Sequence, residues 1–179
     1  MARSGLGPKV GEVIEVNGRW GIVYQRIFGV SMLEQLKANS QDVAGLAKLC
    51  AELHVKVHQV NNVEGIPLRL ERLAHKLNSV DLPPKLREGV LKLLNDVPVK
   101  TSLCYGDFHP GNLMLTQKGP VIIDWADVSL GSPLADVART LLLLKGARLW
   151  EDNAMKEVIL RFEKVYLERY STLSPGDSS

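Results

Sequence analysis

Cysteine is scarce. Cys50 and Cys104 are the only two in 179 residues, they lie far apart, and they fall in no metal-ligand spacing. That excludes a disulfide framework and a cysteine-based zinc site; two thiols in apolar surroundings read as reduced core residues of a cytosolic protein. An excess of charge is missing as well: 22 Lys+Arg stand against 20 Asp+Glu, for a net charge of +2. With no Lys/Arg cluster, a dedicated nucleic-acid surface is not expected. Long apolar runs are absent. The longest aliphatic stretch, Leu141 to Leu144, is far too short to cross a bilayer. Met1 to Val10 holds no continuous apolar stretch of the kind that opens a secretory leader. No internal repeat or low-complexity segment is found. What remains is 45% apolar and 23% charged, in a length that suits one domain or one large lobe with part of a second. The expectation is a soluble cytoplasmic chain with no nucleic-acid or membrane partner, its oligomeric state left open.

Along the chain, Gly11 to Val16 and Trp20 to Gln25 are β-type runs around Asn17-Gly18, a strong hairpin signal. Ser31 with Glu34 forms a capping box for a short helix. From Gln41 to about Gln59 the residues Val43, Leu46, Ala47, Cys50, Leu53 and Val57 recur at helical spacing, with Ser40 as N-cap. Asn61 to Pro67 is a turn-rich break. Further helices are expected over Leu68 to Leu77 and from Asp81-Leu82-Pro83-Pro84 to about Asn95, where proline is tolerated in the first turn. The period then changes: a short approach at Thr101 to Cys104, a strand at Leu113 to Thr116, a turn at Gln117-Lys118-Gly119, and a second strand at Val121 to Asp124. A helix from Leu134 to Leu144 is apolar almost all round, which predicts burial. The last helix spans roughly Asp152 to Tyr170, with Phe162, Val165, Tyr166 and Tyr170 packing on the lobe. Ser171 to Ser179 reads as a fraying polar tail.

One constellation carries chemistry. Phosphoryl transfer from ATP needs a group that orients the acceptor hydroxyl and oxygen ligands for magnesium on the phosphates. In the protein-kinase solution an Asp base precedes a metal-binding Asn by five residues, and a second Asp follows a hairpin. Asp107 and Asn112 have that offset, and Asp124 ends the hairpin's second strand. A hard oxygen ligand at a strand end, facing another across a short loop, suits magnesium. Gly106 lets the backbone turn before the base, and Pro110-Gly111 returns Asn112 towards Asp124.

On these residues, Leu103 to Leu144 resembles the aminoglycoside phosphotransferase and choline kinase-like family, which shares the protein-kinase fold. Tyr105-Gly106-Asp107-Phe108-His109-Pro110-Gly111-Asn112 matches its His-Gly-Asp-x-x-x-x-Asn loop, and Ile123-Asp124-Trp125 its metal motif. Gly131-Ser132-Pro133-Leu134-Ala135-Asp136 is similar to its Gly-x-Pro-x-x-Asp segment, and Leu53 to His58 to its Leu-His-x-x-x-His helix. Gly21 to Gly29 looks like the strand and hinge between the lobes. The resemblance implies an α+β, protein-kinase-like fold with a mainly helical C-terminal lobe over residues 29–171. Residues 1–28 are then the remaining hairpin of a truncated β-rich N-terminal lobe, and 172–179 a flexible tail. It implies ATP- and magnesium-dependent phosphorylation of a hydroxyl on a small molecule. Asp107 would be the base, Asn112 and Asp124 the magnesium ligands, and the backbone of Gln25 and Ile27 the adenine contact. Tyr105 and Asp136 would support the loop.

Two departures from the family pattern bear on function. Tyr105 replaces the histidine before Gly-Asp, where its hydroxyl can brace the loop. The glycine-rich phosphate loop, the strand lysine and its glutamate partner have no match, and Lys9, in the loop before the hairpin, does not read as that lysine. The alternatives are therefore a truncated, non-catalytic kinase-like binding module and, more weakly, a metal-dependent phosphohydrolase. His54 and His58, four apart with no third ligand nearby in sequence, read as structural histidines near the catalytic loop. His109 is a candidate for substrate contact, and Asp127 is either a turn carboxylate or part of the acceptor pocket.

Overall fold

The computed structural model describes residues 5–61 and 63–174. Its first element is the expected hairpin, β1 (Val10–Val16) antiparallel to β2 (Arg19–Tyr24), with Val16 opposite Arg19. Asn17 and Gly18 both take positive φ, 51° and 75°, which two-residue hairpin turns of this hand require. The ribbon is mostly solvated: Val13 is 63% and Trp20 75% exposed.

The chain then crosses to β3 (Val30–Ser31), which pairs with β5 (Leu113–Thr116), itself paired with β6 (Gly119–Ile122), giving the order β3-β5-β6. Ser31 also starts α1 (Met32–Ala38) through the expected capping box with Glu34. The second helix, α2 (Val43–His58), starts later than its periodicity suggests. Residues Ser40–Asp42 form a 3-10 turn capped by the Asn39 side chain, so Ser40 is not the cap. Next come α3 (Arg69–Ser79) and α4 (Pro84–Asp96), neither with a fully buried side chain. β4 (Ser102–Cys104) pairs with β7 (Ser129–Gly131), a strand too short to register as a period.

The final helices are α5 (Pro133–Ala147) and α6 (Asn153–Leu173). α6 runs past Tyr170 into the expected tail, of which 175–179 lie outside the described residues. α5 is less buried than its composition predicts. Val137, Thr140 and Leu144 are inside, but Leu134 and Leu142 are each 63% exposed, because only one face of the helix meets the lobe.

The core forms where α2 packs against α6. Small residues Ala47, Cys50 and Ala51 on α2 let the helices approach, and Phe162, Tyr166 and Tyr170 fill the interface as the aromatic spacing suggests. Each such side chain removed from water stabilises by roughly 1.5–3 kcal/mol. Cys50 and Cys104 are buried free thiols, as read from their surroundings. Leu103, Phe108, Leu113 and Ile122 extend this core under the loop that carries Asp107. No helix among the described residues is long and apolar enough to cross a membrane.

Candidate active site

The loop from Tyr105 to Asn112 leaves β4 and enters β5 through a 3-10 turn at Pro110–Asn112. Gly106 has φ 90°, and a Cβ there would lie 2.6 Å from the Asp127 carbonyl oxygen, so the position needs glycine for both reasons. Phe108 is buried and stacks on His54 at 4.0 Å, which anchors the loop's middle and leaves Asp107 partly exposed.

Asn112 donates from Nδ2 to the Asp107 carbonyl at 3.1 Å and to Asp107 Oδ2 at 3.3 Å. These bonds orient the amide, and its oxygen is the one atom it can offer to a cation. The Ile123 N–H donates to the Asn112 carbonyl at 3.0 Å, extending the β5–β6 ladder and setting Asn112 across from Asp124. Asp124 is exposed and sits in the left-handed region at φ 58°, ψ 65°, a costly conformation for a non-glycine residue and one that clusters at functional sites. Among the described residues no donor or cation engages its carboxylate. The carboxylate and the amide oxygen are hard donors, and they fit a magnesium ion.

Tyr105 ties the loop to the end of the β5–β6 hairpin. Its hydroxyl reaches the carbonyl oxygens of Ile123 and, at 2.7 Å, Asp124. Burial, reinforced by the negative charge of Asp124 and Asp107, pushes its pKa up, so it stays a donor. His109 is held within the loop. Its Nδ1 accepts the Gly111 N–H at 3.1 Å, so Nε2 carries the proton and faces Asp107 Oδ2 at 3.6 Å. Asp127 is engaged by Arg72 at 2.9 Å, and Arg72 also donates to the Val128 carbonyl.

Behind the loop lies a buried hub. Asp136 Oδ2 accepts from the Tyr105 N–H at 2.6 Å and faces Nε2 of His54 at 3.1 Å and of His58 at 3.3 Å. Its Oδ1 accepts from the Gly106 N–H at 2.9 Å and from Arg69 at 3.0 Å. An ionised carboxylate only accepts, so both histidines carry their proton on Nε2, and both Nδ1 atoms accept from tyrosine hydroxyls. Those are Tyr166 at 2.7 Å and Tyr170 at 2.8 Å. Burial pushes Asp136 up, but the bonds from His54 and His58 outweigh it and hold the carboxyl well below the usual range. The ligand atoms of His54, His58 and Asp136 all lie within 4.8 Å of one another, yet this is a hydrogen-bonded hub and not a metal centre. Both Nε2 lone pairs are protonated, and the Arg69 cation already sits on the carboxylate. Asp136 thus bonds two backbone N–H groups of the loop, at Tyr105 and Gly106; Arg69, Arg72 and the two tyrosines had no local sequence signal.

Burial lowers His54 to about 4 from its ordinary 6.5, so it is neutral in the fold at pH 7. The unfolded chain protonates near 6.5 and the folded one only near 4, so this contribution to stability is complete above pH 6.5 and drains as pH falls towards 4. Denaturant unfolding should lose on the order of 2–3 kcal/mol between pH 7 and pH 4.5. A His54→Gln variant should show a much flatter profile, and an equally steep one would place the titration elsewhere.

On the other side of Asp124 is a cleft of about 670 Å³, between β2 and the β5–β6 hairpin. Gln25, Ile27, Met114, Ile123, Asp124 and Trp125 are among the residues that line it. The Gln25 N–H is committed to the Lys9 carbonyl at 2.9 Å, so of its backbone only the carbonyl faces a choice of partner. Among the described residues no lysine or arginine lines this cleft.

A model of the phosphotransferase enzyme family matches residues 4–175. The chain belongs to this family. In this phosphotransferase-family chain the architecture is also that of solved relatives. An aminoglycoside-3'-phosphotransferase of type VIII aligns with TM-score 0.68 at 20% identity, over 99% of this chain and 71% of that one. An amicoumacin kinase in complex with AMP-PNP and Ca2+ aligns with TM-score 0.65 at 18% identity, over 98% and 59%. A choline/ethanolamine kinase family protein from Mesorhizobium loti aligns with TM-score 0.59 at 20% identity, over 94% and 56%. The fold is thus α+β and kinase-like, and the chain spans 56 to 71% of the length of these structures.

Proposed function

We propose that this site transfers the γ-phosphoryl group of ATP to a hydroxyl of a small molecule, with magnesium. The observation that supports it most is the convergence of Asp107, Asn112 and Asp124 on one loop and hairpin, with Asp124 also lining the cleft that holds Gln25 and Ile27. Asp107 takes the acceptor proton or orients that hydroxyl, and His109 positions its carboxylate. The Asp124 carboxylate and the Asn112 amide oxygen would hold magnesium, whose charge would offset that of the phosphates. Adenine presents a donor beside an acceptor on one edge. The Gln25 carbonyl and the Ile27 N–H complement that pair, which assigns each residue a backbone role.

A second reading has its own support. With no basic side chain among the described residues of the cleft, phosphate positioning and charge neutralisation are weak, which favours a binding module without turnover. Incubating the purified chain with magnesium-ATP and a panel of hydroxyl acceptors separates the readings. The kinase reading expects ADP only when an acceptor is present. ADP released equally without acceptor, and lost in Asp124→Ala, identifies hydrolysis; metal binding without turnover identifies the binding module.

A further inference from the structure

A second cavity, of about 250 Å³, lies beside the catalytic loop and apart from the nucleotide cleft. Leu33 and Leu36 of α1, Leu143 of α5, and Met155, Ile159 and Phe162 of α6 wall it, and the His109-Pro110-Gly111 turn closes one side. Its two polar groups are already engaged. Glu151 pairs with Lys37 at 2.9 Å, and His109 uses Nδ1 on the Gly111 N–H and turns Nε2 towards Asp107. The one carboxylate in the lining already has the Lys37 ammonium as its partner, while the apolar walls would be covered by hydrocarbon. Apolar cavities of roughly 150 Å³ stay dry and take up benzene, so this one has room for an aliphatic chain of about eight carbons or a single ring. The His109 ring lines the cavity, and its Nε2 lies 3.6 Å from the Asp107 carboxylate.

We propose that this cavity receives an uncharged hydrocarbon portion of the acceptor, so that the acceptor is an alcohol with an aliphatic or single-ring apolar group and not a polycation. The assignment rests on the phosphotransfer reading for the hydroxyl end, and on the cavity alone for the apolar end. The same probes separate an acceptor's hydrocarbon from that of a separate apolar effector.

The probes are linear primary alcohols from propanol to octanol. Binding is followed by the methyl NMR signals of Met155 and Ile159, and transfer by alkyl phosphate formed from magnesium-ATP. Affinity should rise about fourfold per added methylene until the cavity is filled, and the apparent KM for transfer should fall by the same factor. Ile159→Trp should remove the trend. Should that variant overpack and unfold, Leu33→Asp, at a position 38% exposed, serves the same purpose. Asp107→Asn should keep the binding trend and lose transfer. The absence of saturable shifts, or a trend unchanged in the filled or charged cavity, overturns the assignment. Binding with the trend, but phosphoryl transfer only to acceptors that lack an apolar group, overturns the acceptor role and points to an effector. Binding with the trend but no transfer to any acceptor upholds the cavity's chemistry and sinks the phosphotransfer reading instead.

Discussion

Asp107→Asn is expected to lower phosphoryl transfer by about 10²- to 10⁴-fold while moving stability by less than about 0.5 kcal/mol. The Asp107 carboxylate, 33% exposed, meets the Asn112 amide at 3.3 Å and His109 at 3.6 Å. Asparagine keeps an oxygen for Asn112 and the same volume, so the loop has no reason to shift. What it cannot do is take a proton or hold a hydroxyl by a charged acceptor. The loss should fall on kcat, with the KM for ATP little changed, because the cleft proposed for the nucleotide is lined by Asp124 and not by Asp107. Steady-state rates paired with a denaturation curve check both halves. A loss smaller than tenfold would remove Asp107 from the role of base, and a large destabilisation would make it a structural residue.

The largest effect on stability should come from Asp136→Ala, at about 3–5 kcal/mol. Removing the carboxylate strands the Arg69 cation, two backbone N–H groups and two imidazole N–H groups in a region where Asp136 is 1% exposed. Asp136→Asn should be nearly as costly, because its NH2 would face at least two of those donors wherever it turns. Urea unfolding at pH 7 measures this, and a change below about 1 kcal/mol would show that the loop is held by something else. Since the donors include the N–H groups of Tyr105 and Gly106, surviving folded protein should also transfer phosphate more slowly than its stability alone explains.

Sequence alone carried the parts of this site that are local in the chain. Asp107, Asn112 and Asp124 sit on one loop and one hairpin, so their spacing encodes their geometry, and the Asn17-Gly18 turn and the Ser31–Glu34 box each need only a few residues to declare themselves. Tyr166 and Tyr170 meet His54 and His58 across 112 positions, and no local pattern can announce such a pairing. Arg69 and Arg72 look like ordinary polar residues of an amphipathic helix until α3 is seen to lie along β7. β3 and β7 have two and three residues, shorter than any period. Composition misled on α5, where Leu134 and Leu142 face water: a run of leucines states preference, and the number of neighbours decides what can be satisfied.

The β1–β2 ribbon has a consequence for the behaviour of this chain in solution. Val13, Trp20 and Ile22 are at least half exposed, and among the described residues no strand pairs with either outer edge of the ribbon. Two-stranded ribbons are marginal by themselves, and free apolar edges accept further strands from any source. With a net charge of only +2, little repulsion keeps two such ribbons apart at neutral pH. The 179 residues should therefore be colloidally fragile at high protein concentration, self-associating first through the ribbon that walls the Gln25–Asp124 cleft and not through the helical lobe.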